Sequence, residues 1–377
     1  MSKYFLRNEQ DIIDFCKGCT FLGTGGGGDY LSGVEALKKQ LFAGREIGWM
    51  DAADMPDEDY SCMPYLMGSL APLSEKAKDE MKRLYKLEDS SLDGTDIMTR
   101  VISEFERYSQ MKIPFLVPSE LGGANAATCI ASAAEMGKTA LDGDYSGRAV
   151  PEMKHCTPYI YDMPLLPVLS CDAWNDIAVI QNAPNYEMIE RLGKMLAVAG
   201  YSRCCQCGFL LNGVNTKKAV IRGTMSDSLR IGQNIRKALE KGLDPVQAAA
   251  DASHGYLICQ GTLTKKEWQD KDGYYWGYHT ITGEKQFSGT EIKLWFKNET
   301  QISWKNGKPF ITSPDLLQII NPETGLAYTN NQAQEGMKAA VIAMRSPAAW
   351  RLPKGLAAFE PRAFGFDIDY QPLEAQI

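Results

Sequence analysis

Ile113-Pro-Phe-Leu-Val117, Pro118-Ser-Glu-Leu-Gly-Gly123, Ala124-Asn-Ala-Ala-Thr-Cys-Ile-Ala-Ser-Ala-Ala-Glu-Met136 and Thr139-Ala-Leu141 follow one another almost without interruption. The first and last pieces are short apolar runs, as buried strands are. The second is a turn-rich loop. The third is rich in alanine and other small residues and reads as a helix that can pack very close to a sheet. Strand, crossover helix and strand make a right-handed unit with parallel strands. Both strand exits, at Glu120 and at Asp142-Gly-Asp144, then open on one edge of the sheet.

The alternation continues toward the N-terminus. Asn8-Glu-Gln-Asp11 caps a helix that Gly18 is expected to end, and Cys19-Thr-Phe-Leu22 reads as a short strand. Gly23-Thr-Gly-Gly-Gly-Gly28 follows, then Leu31, Val34, Leu37 and Leu41 at helical spacing. Asp51 ends a strand, Met63–Met67 is another, and Gly68-Ser-Leu-Ala-Pro72 is its exit loop. Helices are expected from Leu73 to about Tyr85 and over Thr95–Tyr108. Toward the C-terminus, Tyr186–Ala199 and Asp227–Lys241 read as helices, Cys205–Leu211 and Lys218–Ile221 as strands. From Gly255 to Thr312 the text is strand-like, with a hairpin signal at Asn306-Gly307, and Leu316–Ile320 adds a strand. The expectation is an α/β fold: a parallel-sheet N-terminal domain over residues 1–178 and a β-rich second domain over 179–377, its mostly β module at about 253–312.

Composition narrows the function. A length of 377 residues suits two domains, and 23% charged with 44% hydrophobic residues is ordinary for a globular chain. A net charge of −7 argues against a nucleic-acid partner, which needs a basic stripe. No apolar run approaches the length of a membrane helix, so no membrane partner is expected. The first ten residues lack an apolar signal core, so a cytoplasmic location is expected. Three histidines exclude a histidine-rich metal site, and Cys204-Cys-Gln-Cys207 lacks a second ligand pair and reads as buried thiols.

Two segments carry candidate chemistry. Gly23–Gly28 satisfies the dinucleotide pattern G-x-G-x-x-G, with Asp51 at the right distance. Four consecutive glycines satisfy many patterns, however, and NAD dependence is not expected. At a helix N-terminus, the N–H groups of Gly25, Gly26, Gly27 and Gly28, beside Asp29, can hold a carboxylate or a developing oxyanion; a plain turn is the alternative. Glu120, Asp142 and Asp144 follow strands, and Arg148, Glu152 and His155 come soon after. Ligands of open α/β sheets bind beyond the strand ends, which would gather these residues in one cleft. Carboxylates crowded together need protons or cations between them. That leaves open general acid–base work or a metal.

Leu22-Gly-Thr-Gly-Gly-Gly-Gly-Asp29, Glu120-Leu-Gly-Gly-Ala-Asn125, Asp142-Gly-Asp-Tyr-Ser-Gly-Arg-Ala-Val-Pro-Glu152 and Pro314-Asp-Leu-Leu317 together resemble the DUF917 family, named for S-methyl thiohydantoin desulfurase. The resemblance spans nearly the whole chain. It implies a β-rich second domain of swivelling type and a hydrolase acting on a C–N or C–S bond of a hydantoin-like ring. On this reading Glu120 or Asp142 takes the proton of an attacking water, and Arg148 orients a substrate carboxylate or a neighbouring acid. A divalent metal, zinc, is an expected cofactor, with Asp144, Glu152 and His155 as its candidate ligands. The partners expected are a small-molecule substrate and either a second copy or a hydantoinase-type protein. Two rival readings are a nucleotide-binding protein and a non-catalytic subunit docking through the β module.

Overall fold

A computed structural model describes residues 3–68, 74–90, 92–200 and 203–377. Most of the expected exit loop Gly68–Pro72, and the start of the helix placed at Leu73, lie outside the described residues. The first sheet is mixed. Gly48–Asp51, Thr139–Asp144, Phe115–Leu116 and Tyr60–Gly68 are adjacent and parallel. Lys3–Phe5 flanks them antiparallel on one side, and Arg203–Asn212, Val168–Cys171 and Ile177–Ile180 continue the sheet antiparallel on the other. The decisive unit forms as read: the helix Asn125–Met136 crosses between the parallel neighbours Phe115–Leu116 and Thr139–Asp144. Its Ala126, Ala127 and Ala131 are fully buried, which is what lets it lie tight on the sheet.

The second sheet is antiparallel throughout. Its order is Lys308–Thr312, Glu299–Lys305, Glu291–Lys297, Tyr274–Gly283, Tyr256–Lys271, Lys338–Met344 and Leu316–Ile320. Asn306-Gly307 makes its hairpin with both residues at positive φ, as a two-residue turn requires. Lys338–Met344 was not anticipated, and it joins Tyr256–Lys271 to the edge strand Leu316–Ile320. The protein is thus an α/β body carrying a β-rich second domain. No helix among the described residues is long and apolar enough to cross a membrane.

Two segments differ from expectation. Lys218–Ile221 divides between the helix Gly213–Ala219 and the short strand Ile221–Arg222. More consequentially, Cys19–Leu22 is no strand: the first helix runs unbroken over Glu9–Leu22. Gly18 does not stop it because that glycine serves a crossing. A Cβ at Gly18 would lie 1.7 Å from the Ser228 carbonyl oxygen, and one at Gly232 would lie 1.8 Å from that of Asp14. The helices Glu9–Leu22 and Thr224–Glu240 therefore cross backbone on backbone, with Arg236 paired to the buried Asp14 at 2.9 Å. Glycine in a helix costs about 0.5–1 kcal/mol, and this approach returns it as packing. Replacing Gly18 by alanine should lower stability by about 1–3 kcal/mol through overpacking, read from the urea midpoint. Gly232→Ala should do the same, and the two losses should not add, because they relieve one crossing. An unchanged midpoint would mean that the helices part freely.

Candidate functional site

A cavity of about 520 Å³ opens where the two domains meet. Gly27, Gly28, Glu120 and Asn125 line it from the first domain, Asn298 and Glu299 from the second, and Lys194 from the helix Tyr186–Ala199. The glycine run is gripped from across the seam: Thr300 N–H donates to the Thr24 carbonyl at 2.9 Å, and Asn330 N–H to that of Gly25 at 2.8 Å. Gly27 offers its carbonyl to the N–H groups of Ala124 and Asn125, so the run also finishes the N-terminus of the alanine-rich helix. Among the described residues, no acceptor takes the N–H of Gly27 or Gly28. Gly27 is where glycine is required, with φ at +68° and a Cβ that would lie 2.6 Å from the Gly122 Cα; at Gly26 a Cβ would lie 2.0 Å from the Glu299 Oε1, so the Glu299 side chain would have to move. The run follows a helix, so the strand that a dinucleotide fingerprint needs is not in place.

Glu120 is buried, and both its oxygens are engaged. Asn125 Nδ2 donates to Oε1 at 2.6 Å and Val150 N–H to Oε2 at 2.7 Å. Asn125 is itself oriented, since its Oδ1 accepts from Leu66 N–H at 2.8 Å. Burial pushes the Glu120 carboxyl up to about 7, against the pull of these two donors. Glu299 is pushed well above the usual carboxyl range by burial and by the charge of Glu120, opposed by Arg148 and Lys194. Lys194 is buried; its Nζ donates to the Gly68 carbonyl at 2.8 Å and lies 3.9 Å from Glu190 and 4.5 Å from the Tyr274 ring centre.

The other residues singled out from the sequence are put to different uses. Asp29 lines the cavity, but its carboxylate caps the helix Tyr30–Phe42 through Leu31 N–H and Ser32 N–H. Asp142 was expected to follow its strand, but the strand runs on to Asp144 and Asp142 pairs within it opposite Asp51; its carboxylate accepts from Met225 N–H, Ser226 N–H and the Ser226 hydroxyl, fixing the start of the helix Thr224–Glu240 outside the cavity. Arg148 is fully buried and does not line the cavity. It donates to the Thr24 hydroxyl at 2.8 Å and to the Thr300 carbonyl at 2.6 Å, with the Phe359 ring 5.3 Å away.

Asp144, Glu152 and His155 do not converge. Asp144 builds its own loop, accepting from Ser146 and Gly147 N–H and from the Thr224 hydroxyl, while burial raises its carboxyl to about 7. Glu152 pairs with Lys297 and Lys154; burial opposes its ionisation, but His155 and the two lysines together outweigh that and hold it at about 2. His155 contacts the Ala358 carbonyl at 3.0 Å and stacks on Phe359, and burial drives its imidazole down to about 3. Among the described residues, no three His, Cys, Asp or Glu side chains are grouped to hold a metal ion. Asp144, Glu152 and His155 therefore do not form one ligand set for a divalent metal. Cys204, Cys205 and Cys207 are buried, as their place on the inner strand Arg203–Asn212 requires.

Glu299 and Lys194 were missed by sequence reading. Lys194 follows Glu190 by one helical turn, a spacing that normally marks an exposed pair. Glu299 follows Asn298, which adopts a positive φ at a strand junction, and nothing in that text announces a buried acid.

An α/β body and an antiparallel sheet, docked over a cavity lined by the buried carboxyls of Glu120, Glu190 and Glu299, define a two-domain protein with its candidate site on the seam. The chain belongs to the S-Me-THD-like family: the family's N-terminal domain matches residues 10–182 and its C-terminal domain residues 184–373. No curated protein matches the sequence. The crystal structure of a protein from Chromobacterium violaceum, a structural genomics target, is similar in fold, with a TM-score of 0.75 at 18% identity over 99% of this chain and 100% of that one.

The raised carboxyl of Glu120 has a consequence for stability. A group whose proton is held more tightly in the folded state contributes fully below its unfolded value of 4.5, and that contribution is lost as the pH rises through about 7. The unfolding free energy of Glu120→Gln should therefore gain on that of the wild type between pH 4.5 and 7. Parallel pH profiles in urea titrations would show instead that Glu120 ionises as freely folded as unfolded.

Proposed function

We propose that the protein is a hydrolase that adds water to an sp² carbon of a five-membered hydantoin-like ring, with S-methyl thiohydantoins as its substrate class. The family supports a thiohydantoin-related role. The observation that carries the reaction type is Glu120: a buried carboxyl facing a cavity, oriented by two donors, with a proton affinity near neutrality. General bases work best when their pKa lies close to the working pH. A volume of about 520 Å³ suits a small ring with one substituent.

In this reading Glu120 takes a proton from water as its oxygen bonds to the ring carbon. Negative charge develops on the ring heteroatom, where the unspent N–H groups of Gly27 and Gly28 and the cation of Lys194 stabilise it. No metal enters the scheme, because the candidate ligands are committed to separate partners.

Incubating the protein with S-methyl thiohydantoins and following thiol release tests the proposal, with the matching hydantoin as a probe of ring opening. The Glu120→Gln variant should lose at least about 10²-fold in kcat/KM while keeping its melting temperature within a few degrees. Asp142→Asn should instead weaken the anchoring of the helix Thr224–Glu240, costing about 1 kcal/mol of stability with turnover within about threefold of the wild type. Full activity of Glu120→Gln would sink the assignment of the base.

A further inference from the structure

Glu299 comes to the cavity from the second domain, at the start of the strand Glu299–Lys305. Its Oε1 rests over Gly26, where a side chain would collide with it. Its Oε2 is buried and has no hydrogen-bond partner among the described residues. The contrast with Glu120, whose oxygens both receive donors, is chemical. A buried anion with an unpaired oxygen is far more costly than a neutral acid, so of the two the proton resides on Glu299. Three charged groups act on it: Glu120 favours the proton, while Arg148 and Lys194 oppose it.

We propose that Glu299 is the second proton carrier of the reaction, so that the two domains each supply one carboxyl of an asymmetric pair. The proposal rests on the hydrolase reading above. For a ring containing N=C–S–CH₃ the protons balance over two steps. Water oxygen bonds to the ring carbon while one water proton passes to Glu120, and Glu299 gives its proton to the ring nitrogen as the C=N bond opens. The adduct then collapses: its hydroxyl proton passes to Glu299 as C=O forms, the C–S bond breaks, and Glu120 gives its proton to the departing sulfur. The products are the ring carbonyl and methanethiol. Glu120 ends ionised and Glu299 protonated, as they began.

The test pairs kinetics with spectroscopy on the full chain. Glu299→Gln keeps size and neutrality but cannot give a proton, so kcat/KM for S-methyl thiohydantoin should fall at least about 10²-fold without a drop in melting temperature. The wild type should show an alkaline limb in its pH profile, as Glu299 loses its proton, and Glu299→Asp should retain that limb with reduced turnover. The infrared difference between wild type and Glu299→Gln at neutral pH should contain a protonated-carboxyl band, a readout that needs no substrate. Thiol release by Glu299→Gln within threefold of the wild type, or an ionised Glu299 in the infrared, would overturn the shuttle and leave the hydrolase reading standing. A wild type inert toward the ring would overturn the hydrolase reading and the shuttle with it.

Discussion

The buried guanidinium of Arg148 is the constraint on which the rest of the architecture turns. It sits in the first domain, yet it donates to the Thr300 carbonyl of the second and to the Thr24 hydroxyl that opens the glycine run. Placing a cation away from water is costly unless its donors are satisfied. Here carbonyls and a hydroxyl satisfy them, and the Phe359 ring covers one face. Burial brings the group down to about 10, so it stays charged at neutral pH. The clamp fixes where the second sheet meets the glycine run, and therefore where the cavity lies.

That placement has an electrostatic result. The charge of Arg148 is not spent on a carboxylate at contact distance, so from its buried position it acts on Glu299, Glu120 and Asp315 together. Two carboxyls facing one cation and Lys194 can bear negative charge, but mutual repulsion disfavours both ionising together. The uneven supply of donors then separates them. Glu120 receives an amide N–H and a side-chain N–H, whereas the Glu299 Oε2 receives none. The glycine at position 26 belongs to the same arrangement, because its missing side chain is the space that the Glu299 carboxyl occupies.

The parallel core was legible because its signals are local. Apolar runs, small-residue helix and turn-rich exits over 113–144 specify strand, helix and strand without reference to the rest of the chain. Glu120 was legible for the same reason: a strand exit on a parallel sheet faces the ligand side. The same rule pointed to Asp142 and went no further, since a helix beginning some eighty residues later takes that carboxylate to complete its own first turn. Gly18 failed in the opposite way. Read locally it ends a helix, but the backbone of Ser228 presses on it, and the helix continues.

The sequence by itself determined the fold class, the family, the glycine run and the place of Glu120, because each follows from periodicity or from a contiguous motif. Only the tertiary structure decided which acids share a cavity. Glu299 stands 179 positions beyond Glu120, and an antiparallel sheet docked by Arg148 brings it there. Burial, not residue type, separates a solvated carboxylate from a proton carrier. Burial is a property of the seam between the domains, which no single stretch of the chain encodes.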